Sequence, residues 1–133
     1  MRLAGGCCNA GGVLRCVIVD DNASFLDAAK NLLEREGFDV LGVASTAADA
    51  LRQVEALHPD VALVDIMLGS ESGFDLSRRL TEADGNVRVI LISTHSEADL
   101  ADMIAETPAV GFLPKSELSA AAVLKLANAR RET

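Results

Sequence analysis

Four apolar runs in this chain each stop at a residue able to do chemistry. Asp20 and Asp21 follow VLRCVIV, Asp65 follows VALV, Ser93 follows VILI, and Lys115 follows VGFLP. Three carboxylates, a hydroxyl and an ammonium suit one divalent cation and one phosphoryl group. Carboxylates crowded into one cleft raise one another's pKa, and a hard cation relieves that repulsion. Mg²⁺ takes octahedral oxygen ligands, keeps several waters and is usually held by one or two carboxylates plus phosphate oxygens. The set offers oxygen and no soft ligand. A carboxylate can also be a nucleophile and form an aspartyl phosphate. It then needs a metal and a positioned cation to neutralise the charge that develops. Lys115 is the only Lys or Arg placed where such a run ends, and Ser93 can donate a hydrogen bond to a phosphoryl oxygen. Singly, each residue has a plainer reading. An Asp after an apolar run is most often a turn residue or helix cap, and a lone Lys is usually solvated. The joint pattern carries the chemistry.

These groups meet only if the runs are strands of one parallel sheet, whose carboxyl ends form the ligand edge of an open α/β fold. Leu14–Val19, Asp39–Val43, Val61–Val64, Val87–Ile92 and Val110–Leu113 read as strands, and amphipathic segments separate them. Asn22 caps a helix with Phe25, Ala28, Ala29, Leu32 and Leu33 on one face, and Gly37 ends it. Thr46-Ala-Ala-Asp49 resembles a capping box. It opens a helix that turns Ala47, Ala50, Leu51, Val54 and Leu57 inward and that Pro59 stops. A loop with Gly69 and Gly73 leads to a helix through Phe74, Leu76 and Leu80. Ser96 caps a fourth helix with Leu100, Met103 and Ile104 inward, and Ser116 caps a last helix to about Arg130. Five strands alternating with five helices predict a flavodoxin-like (βα)5 three-layer sandwich. Its parallel five-stranded sheet has order 2-1-3-4-5 and right-handed crossovers. In that order the first and third strands are neighbours at the switch point, so Asp20, Asp21 and Asp65 converge.

At 133 residues the chain reads as one domain, and half its residues are hydrophobic, enough for a full core. The net charge of -8 argues against direct nucleic-acid binding, which needs a basic face, and disfavours anionic membrane surfaces. No stretch approaches the ~18 apolar residues of a membrane span. MRLAGGCCNAGG lacks an apolar h-region, so no signal peptide is read and a cytoplasmic location is expected. Residues 1–12 read as a flexible N-terminal extension, 13–130 as the domain and 131–133 as a tail. Cys7, Cys8 and Cys16 are odd in number, which disfavours a disulfide framework. No CxxC spacing or nearby His makes Cys7 and Cys8 a zinc site. Cys16 reads as a small residue of the first strand.

Over about residues 13–130 the chain resembles the receiver domain of two-component response regulators. VIVDDN matches the family's acidic-pair strand. LVDIMLGSESGFDL matches its phospho-acceptor segment, with Gly73 eight residues after Asp65. VILIS matches the hydroxyl strand and GFLPK the aromatic-x-x-Lys segment. The resemblance implies that Asp65 accepts a phosphoryl group from a histidine kinase or phosphotransfer protein. Asp21 would ligate Mg²⁺ directly, Asp20 through water, and Met67 through its backbone carbonyl. Ser93 would be the switch hydroxyl, Lys115 the phosphate-pairing lysine and Phe112 the switch aromatic that turns inward on phosphorylation. The chain would be a switch rather than an enzyme, catalysing only its own phosphorylation and dephosphorylation. Its output would pass to a downstream protein or to an output domain outside this sequence.

Some positions depart from the family pattern. Gly69 stands where Pro is common, which suggests a looser loop. Thr94 stands where Ala or Gly is usual, and its β-branch is expected to crowd the phosphoryl pocket. Pro114 precedes Lys115 and Ser116 follows it. The resemblance puts Met67 and His95 at two positions that flank the attacking water's path in this family. An apolar Met67 should shield the acyl phosphate and give it a lifetime of minutes or longer. The last helix carries apolar residues nearly all round, from Ala120 to Leu126. Some of them are free to face a partner or a second copy, with the fourth helix, fifth strand and last helix as the candidate dimer face. Glu97, Asp99, Asp102 and Glu106 read as a solvated face on the fourth helix. A haloacid-dehalogenase-like phosphatase would need Asp at position 67, where this chain has Met67, and a cap domain it lacks. The remaining alternative is a receiver-like protein-binding module that works without phosphorylation.

Overall fold

The computed structural model describes residues 14–94, 102 and 104–131. In chain order the elements are β1 (Arg15–Val19), α1 (Ala23–Arg35), β2 (Asp39–Ala44), α2 (Ala47–Leu57) and β3 (Val61–Asp65). A two-stranded hairpin follows, β4 (Met67–Leu68) and β5 (Glu71–Ser72), and then α3 (Gly73–Ala83). The chain continues through β6 (Arg88–Ser93), β7 (Gly111–Pro114), a 3-10 turn (Lys115–Glu117) and α4 (Ala120–Arg131). The main sheet is parallel throughout and ordered β2-β1-β3-β6-β7. Once the hairpin strands are discounted, this is the expected 2-1-3-4-5 order.

The strands are apolar on both faces because both faces are covered. Val17, Val19, Ala62, Val64, Leu91 and Phe112 cluster with Ala50 and Val54 of α2 and with Leu76 and Leu80 of α3. The alternate residues Cys16, Ile18, Leu63, Ile90, Ile92 and Leu113 cluster with Leu26, Ala29 and Leu33 of α1 and with Val123 and Ala127 of α4. These are the two halves of a three-layer sandwich. The chain leaves β1 for β2 on one side and reaches β3 on the other, which makes the carboxyl ends of β1 and β3 the switch point.

Local chemistry sets the helix ends. Asn22 Oδ1 accepts from Ser24 N and Phe25 N, Thr46 Oγ1 from Asp49 N, and Ser72 Oγ from Phe74 N and Asp75 N. Gly37 follows α1 at φ +101°, the left-handed conformation that favours glycine at C′.

The structure corrects three details of the sequence reading. On α1 the buried face is Leu26, Ala29 and Leu33, and Ala28 is exposed. Leu57, expected inward, is 38% exposed at the last position of α2. Ser116 lies inside the 3-10 turn, and α4 starts later, where Ser119 Oγ accepts from Ala122 N at 3.0 Å. Gly69 has a conformational reason to stand where proline is common. At φ +61° it begins the two-residue connection of the β4–β5 hairpin, a conformation closed to the proline common there. Of the helix expected from Ser96, residues 102 and 104–106 are described; 102, 104 and 105 are helical, and Glu106 already lies in the turn that follows. The first thirteen residues, with Cys7 and Cys8, lie outside the described residues.

Candidate functional site

Sheet register sets the heights of the functional groups. Val19 is level with Val64, Asp65 with Ile92, and Ser93 with Pro114. Asp20 and Asp65 therefore leave the sheet side by side, Ser93 closes the neighbouring strand, and Lys115 begins the turn after β7. The three carboxylates of Asp20, Asp21 and Asp65 each bring an oxygen within 4.8 Å of the others. Asp20 is fully buried and Asp65 nearly so, whereas Asp21 is exposed.

The two buried acids are held from below. Asp20 N donates to Ala44 O, and Asp20 Oδ1 accepts from Asn22 N at 2.8 Å. Asp65 Oδ1 accepts from Met67 N at 3.3 Å. Gly73, the first residue of α3, lies against the acceptor's own backbone. A Cβ on Gly73 would sit 2.1 Å from the Asp65 carbonyl oxygen, and Gly73 N donates to Ile66 O at 2.7 Å. Only glycine permits that approach. Glu71 Oε1 accepts from Ala47 N at 3.0 Å and pins the hairpin to the start of α2.

Lys115 closes the cluster. Its Nζ lies 2.6 Å from Asp20 Oδ2 and 3.4 Å from Asp65 Oδ2. Lys115 is the partner of Asp20 Oδ2 among the described residues. Burial, and then the charge of Asp20, push the Asp65 carboxyl above its usual range, against the pull of Lys115 and the Met67 amide. For Lys115, burial acts against its charge. The hydrogen bond to Asp20 and the charges of Asp65 and Asp20 outweigh it and raise the ammonium's pKa.

Asp21, Asp65, Met67, Gly69, Ser93, Thr94 and Lys115 line one open cavity of about 270 Å³. Six of the nine residues singled out from the sequence are thus gathered around it, and buried Asp20 reaches it through Lys115. Phe112 is not part of the lining. It is buried below, within the core on the α2–α3 side. His95 lies outside the described residues. Met67 is 58% exposed at the cavity mouth, and Thr94 is exposed at its edge. The donors suit a hard divalent cation. They are oxygens only, and three carboxylates are within reach of one ion.

One residue of the site is not evident from the sequence. The Lys115 ammonium lies over the Phe25 ring, 4.6 Å from its centroid. In the sequence Phe25 reads only as part of the apolar face of α1. Its place three residues after the Asn22 cap was the available signal, because it returns the ring to the strand end.

Comparisons with known proteins agree with this geometry. The response regulator receiver domain family matches residues 16–127. The transcriptional regulatory protein DegU of Brevibacillus brevis is 30% identical over 113 residues, covering 84% of this chain and 48% of DegU. The DNA-binding response regulator MtrA of Mycolicibacterium paratuberculosis is 34% identical over 90 residues, 68% of this chain and 38% of MtrA. The chain spans about half or less of the length of these curated relatives. Among solved structures, a two-component response regulator of the LuxR family from Aurantimonas superposes with TM-score 0.77 at 25% identity. That match covers 89% of this chain and 84% of the other. A CheY-like response regulator receiver domain protein from Methanospirillum hungatei gives TM-score 0.74 at 25% identity, covering 91% and 99%. With its fold, its strand-end acids and this match over most of its length, the chain belongs to the response regulator receiver domain family.

Proposed function

We propose that this receiver domain works as a phosphorylation-operated switch, with Asp65 as the acceptor. The observation that carries the reading is the meeting of Asp65, two further carboxylates and the Lys115 ammonium at one solvent-open cavity. An Asp65 carboxylate oxygen attacks the phosphorus of a phosphohistidine. An O–P bond forms, the N–P bond breaks, and its electron pair returns to the donor imidazole. Mg²⁺ bound by Asp20, Asp21, Asp65 and the Met67 carbonyl would supply charge neutralisation in that transfer. Lys115 pairs with a phosphoryl oxygen, and Ser93 donates to another. The new charge biases a bistable element in which buried Phe112 takes part.

The domain then acts on no separate substrate and promotes only the loading and loss of its own phosphoryl group. A histidine kinase or phosphotransfer protein is the upstream partner. The names of relatives such as MtrA support a DNA-binding output for the whole protein. Met67, at the cavity mouth, shields the acyl phosphate, so its lifetime is expected to be minutes or longer.

Incubation with acetyl phosphate, with and without Mg²⁺, followed by intact mass tests the reading. The expected result is a Mg²⁺-dependent gain of one phosphoryl group that Asp65→Asn abolishes. Bound Mg²⁺ without any gain would favour a protein-binding module that never carries phosphate. Decay of the adduct within seconds would refute the shielding role of Met67.

A further inference from the structure

Lys115 is gripped from two sides, and only one of them is acidic. Asp20 and Asp65 hold its ammonium at 2.6 and 3.4 Å. Those carboxylates are also the groups that a cation and a phosphoryl group would engage, so their hold on Lys115 changes once the site is loaded. The Phe25 ring face, 4.6 Å from Nζ, has no such competing duty. A cation over an aromatic ring is attracted by its quadrupole, more strongly when shielded from water. The Lys115 side chain is only 16% exposed. A lysine otherwise has a long flexible stem and loses much rotamer freedom when fixed.

The ring is itself fixed by the turn that carries the acids. Asn22 N donates to Asp20 Oδ1, and Phe25 N donates to Asn22 Oδ1 at 3.2 Å. Half-buried Phe25 also packs against the core layer of α1. One short segment thus sets the height of Asp20 and the height of the surface beneath Lys115.

We propose that Phe25 is a positioning residue for phosphoryl transfer. Its ring holds the Lys115 ammonium beside Asp65 independently of the carboxylates, so the ammonium stays in place when cation and phosphoryl group arrive. This rests on Asp65 being the acceptor. Leu at position 25 keeps an apolar contact and loses the quadrupole, whereas Tyr keeps both.

The test uses the full chain as wild type, Phe25→Leu and Phe25→Tyr. ¹H–¹³C spectra of the lysine ε-methylenes, with Lys115 assigned through Lys115→Arg, should show Lys115 shifted upfield by the ring. The shift should persist in Phe25→Tyr and vanish in Phe25→Leu. The initial rate of phosphorylation by acetyl phosphate should fall about fivefold in Phe25→Leu and stay near wild type in Phe25→Tyr. Mg²⁺ affinity, which a disturbed Asp20 turn would alter, should not move. An unshifted Lys115 in the wild type overturns the proposal, as does an undiminished rate in Phe25→Leu. A parallel loss of Mg²⁺ affinity and rate overturns it too, because Phe25 would then be merely structural. Failure of the Asp65 reading looks different: the wild type itself takes up no phosphoryl group, and the positioning role falls with it.

Discussion

The two edges of the same parallel sheet treat their acids in opposite ways. At the amino-terminal edge Asp60 and Asp84 are each matched. Asp60 Oδ2 accepts from Arg15 N at 3.0 Å, with Arg15 Nε 3.8 Å away, and the Arg15 guanidinium also donates to His58 O at 2.7 Å. Asp84 accepts from Asn86 N at 3.0 Å and pairs with His58 Nδ1 at 3.1 Å. The Asn86 hydrogen bond, opposed by burial and aided by His58, pulls the Asp84 carboxyl below its usual range. At the carboxyl edge one ammonium serves two buried acids, and the Asp65 carboxyl is pushed up. The first edge stabilises the fold. The second holds charge in a state that a bound cation and a phosphoryl group would relieve, a local cost of the kind functional sites carry.

The largest structural effect is expected where the reactive edge meets the backbone. Gly73→Ala forces a Cβ into the Asp65 carbonyl oxygen and should destabilise the domain by about 2 kcal/mol or more, read by denaturant unfolding. A cost below half of that would mean that α3 can retreat from the acceptor.

Asp65 and Asp84 should then respond with opposite signs when neutralised. A carboxyl with a raised folded pKa contributes stability below its unfolded pKa and loses it as pH rises through the folded value. Without Mg²⁺ at neutral pH, Asp65→Asn should therefore raise Tm, and the gain should shrink toward pH 3. Asp84 has the depressed value, so its contribution is present above its unfolded pKa and lost as pH falls through the folded one. Asp84→Asn should cost about 1 kcal/mol at pH 7 and little in acid, with phosphorylation by acetyl phosphate untouched. Equal signs at neutral pH would erase the contrast between the edges.

The smallest effect concerns access. Thr94 stands at the cavity edge, and Thr94→Ala should speed loading by acetyl phosphate or loss of the phosphoryl group. If both rates stay unchanged, Thr94 does not narrow the site.

Much of this was legible in the sequence, for physical reasons. Two-sided burial makes each central strand an unbroken apolar run, so the Asp, Ser or Lys that ends it stands out. Asn22 and Thr46 are helix caps whose side chains bond to the next turn, which is local chemistry. The hairpin at Met67–Ser72 was not legible. Its strands are two residues each, too short for alternation to register, and the Gly69 that closes it looks like any loop glycine. The start of α4 was missed because three consecutive alanines give no face, and both Ser116 and Ser119 can cap. The Phe25–Lys115 contact joins residues far apart in the chain, and no periodicity encodes a tertiary contact.

Thermal unfolding of wild type and Asp65→Asn across a Mg²⁺ titration tests the central claim most directly, that a cation relieves charge held at the carboxyl edge. The wild type should start at the lower Tm and climb with Mg²⁺, by about 2.7 kcal/mol at a hundredfold excess over Kd. Asp65→Asn should start higher and climb less. A wild type indifferent to Mg²⁺, or an Asp65→Asn chain that melts below it without the ion, would contradict the account.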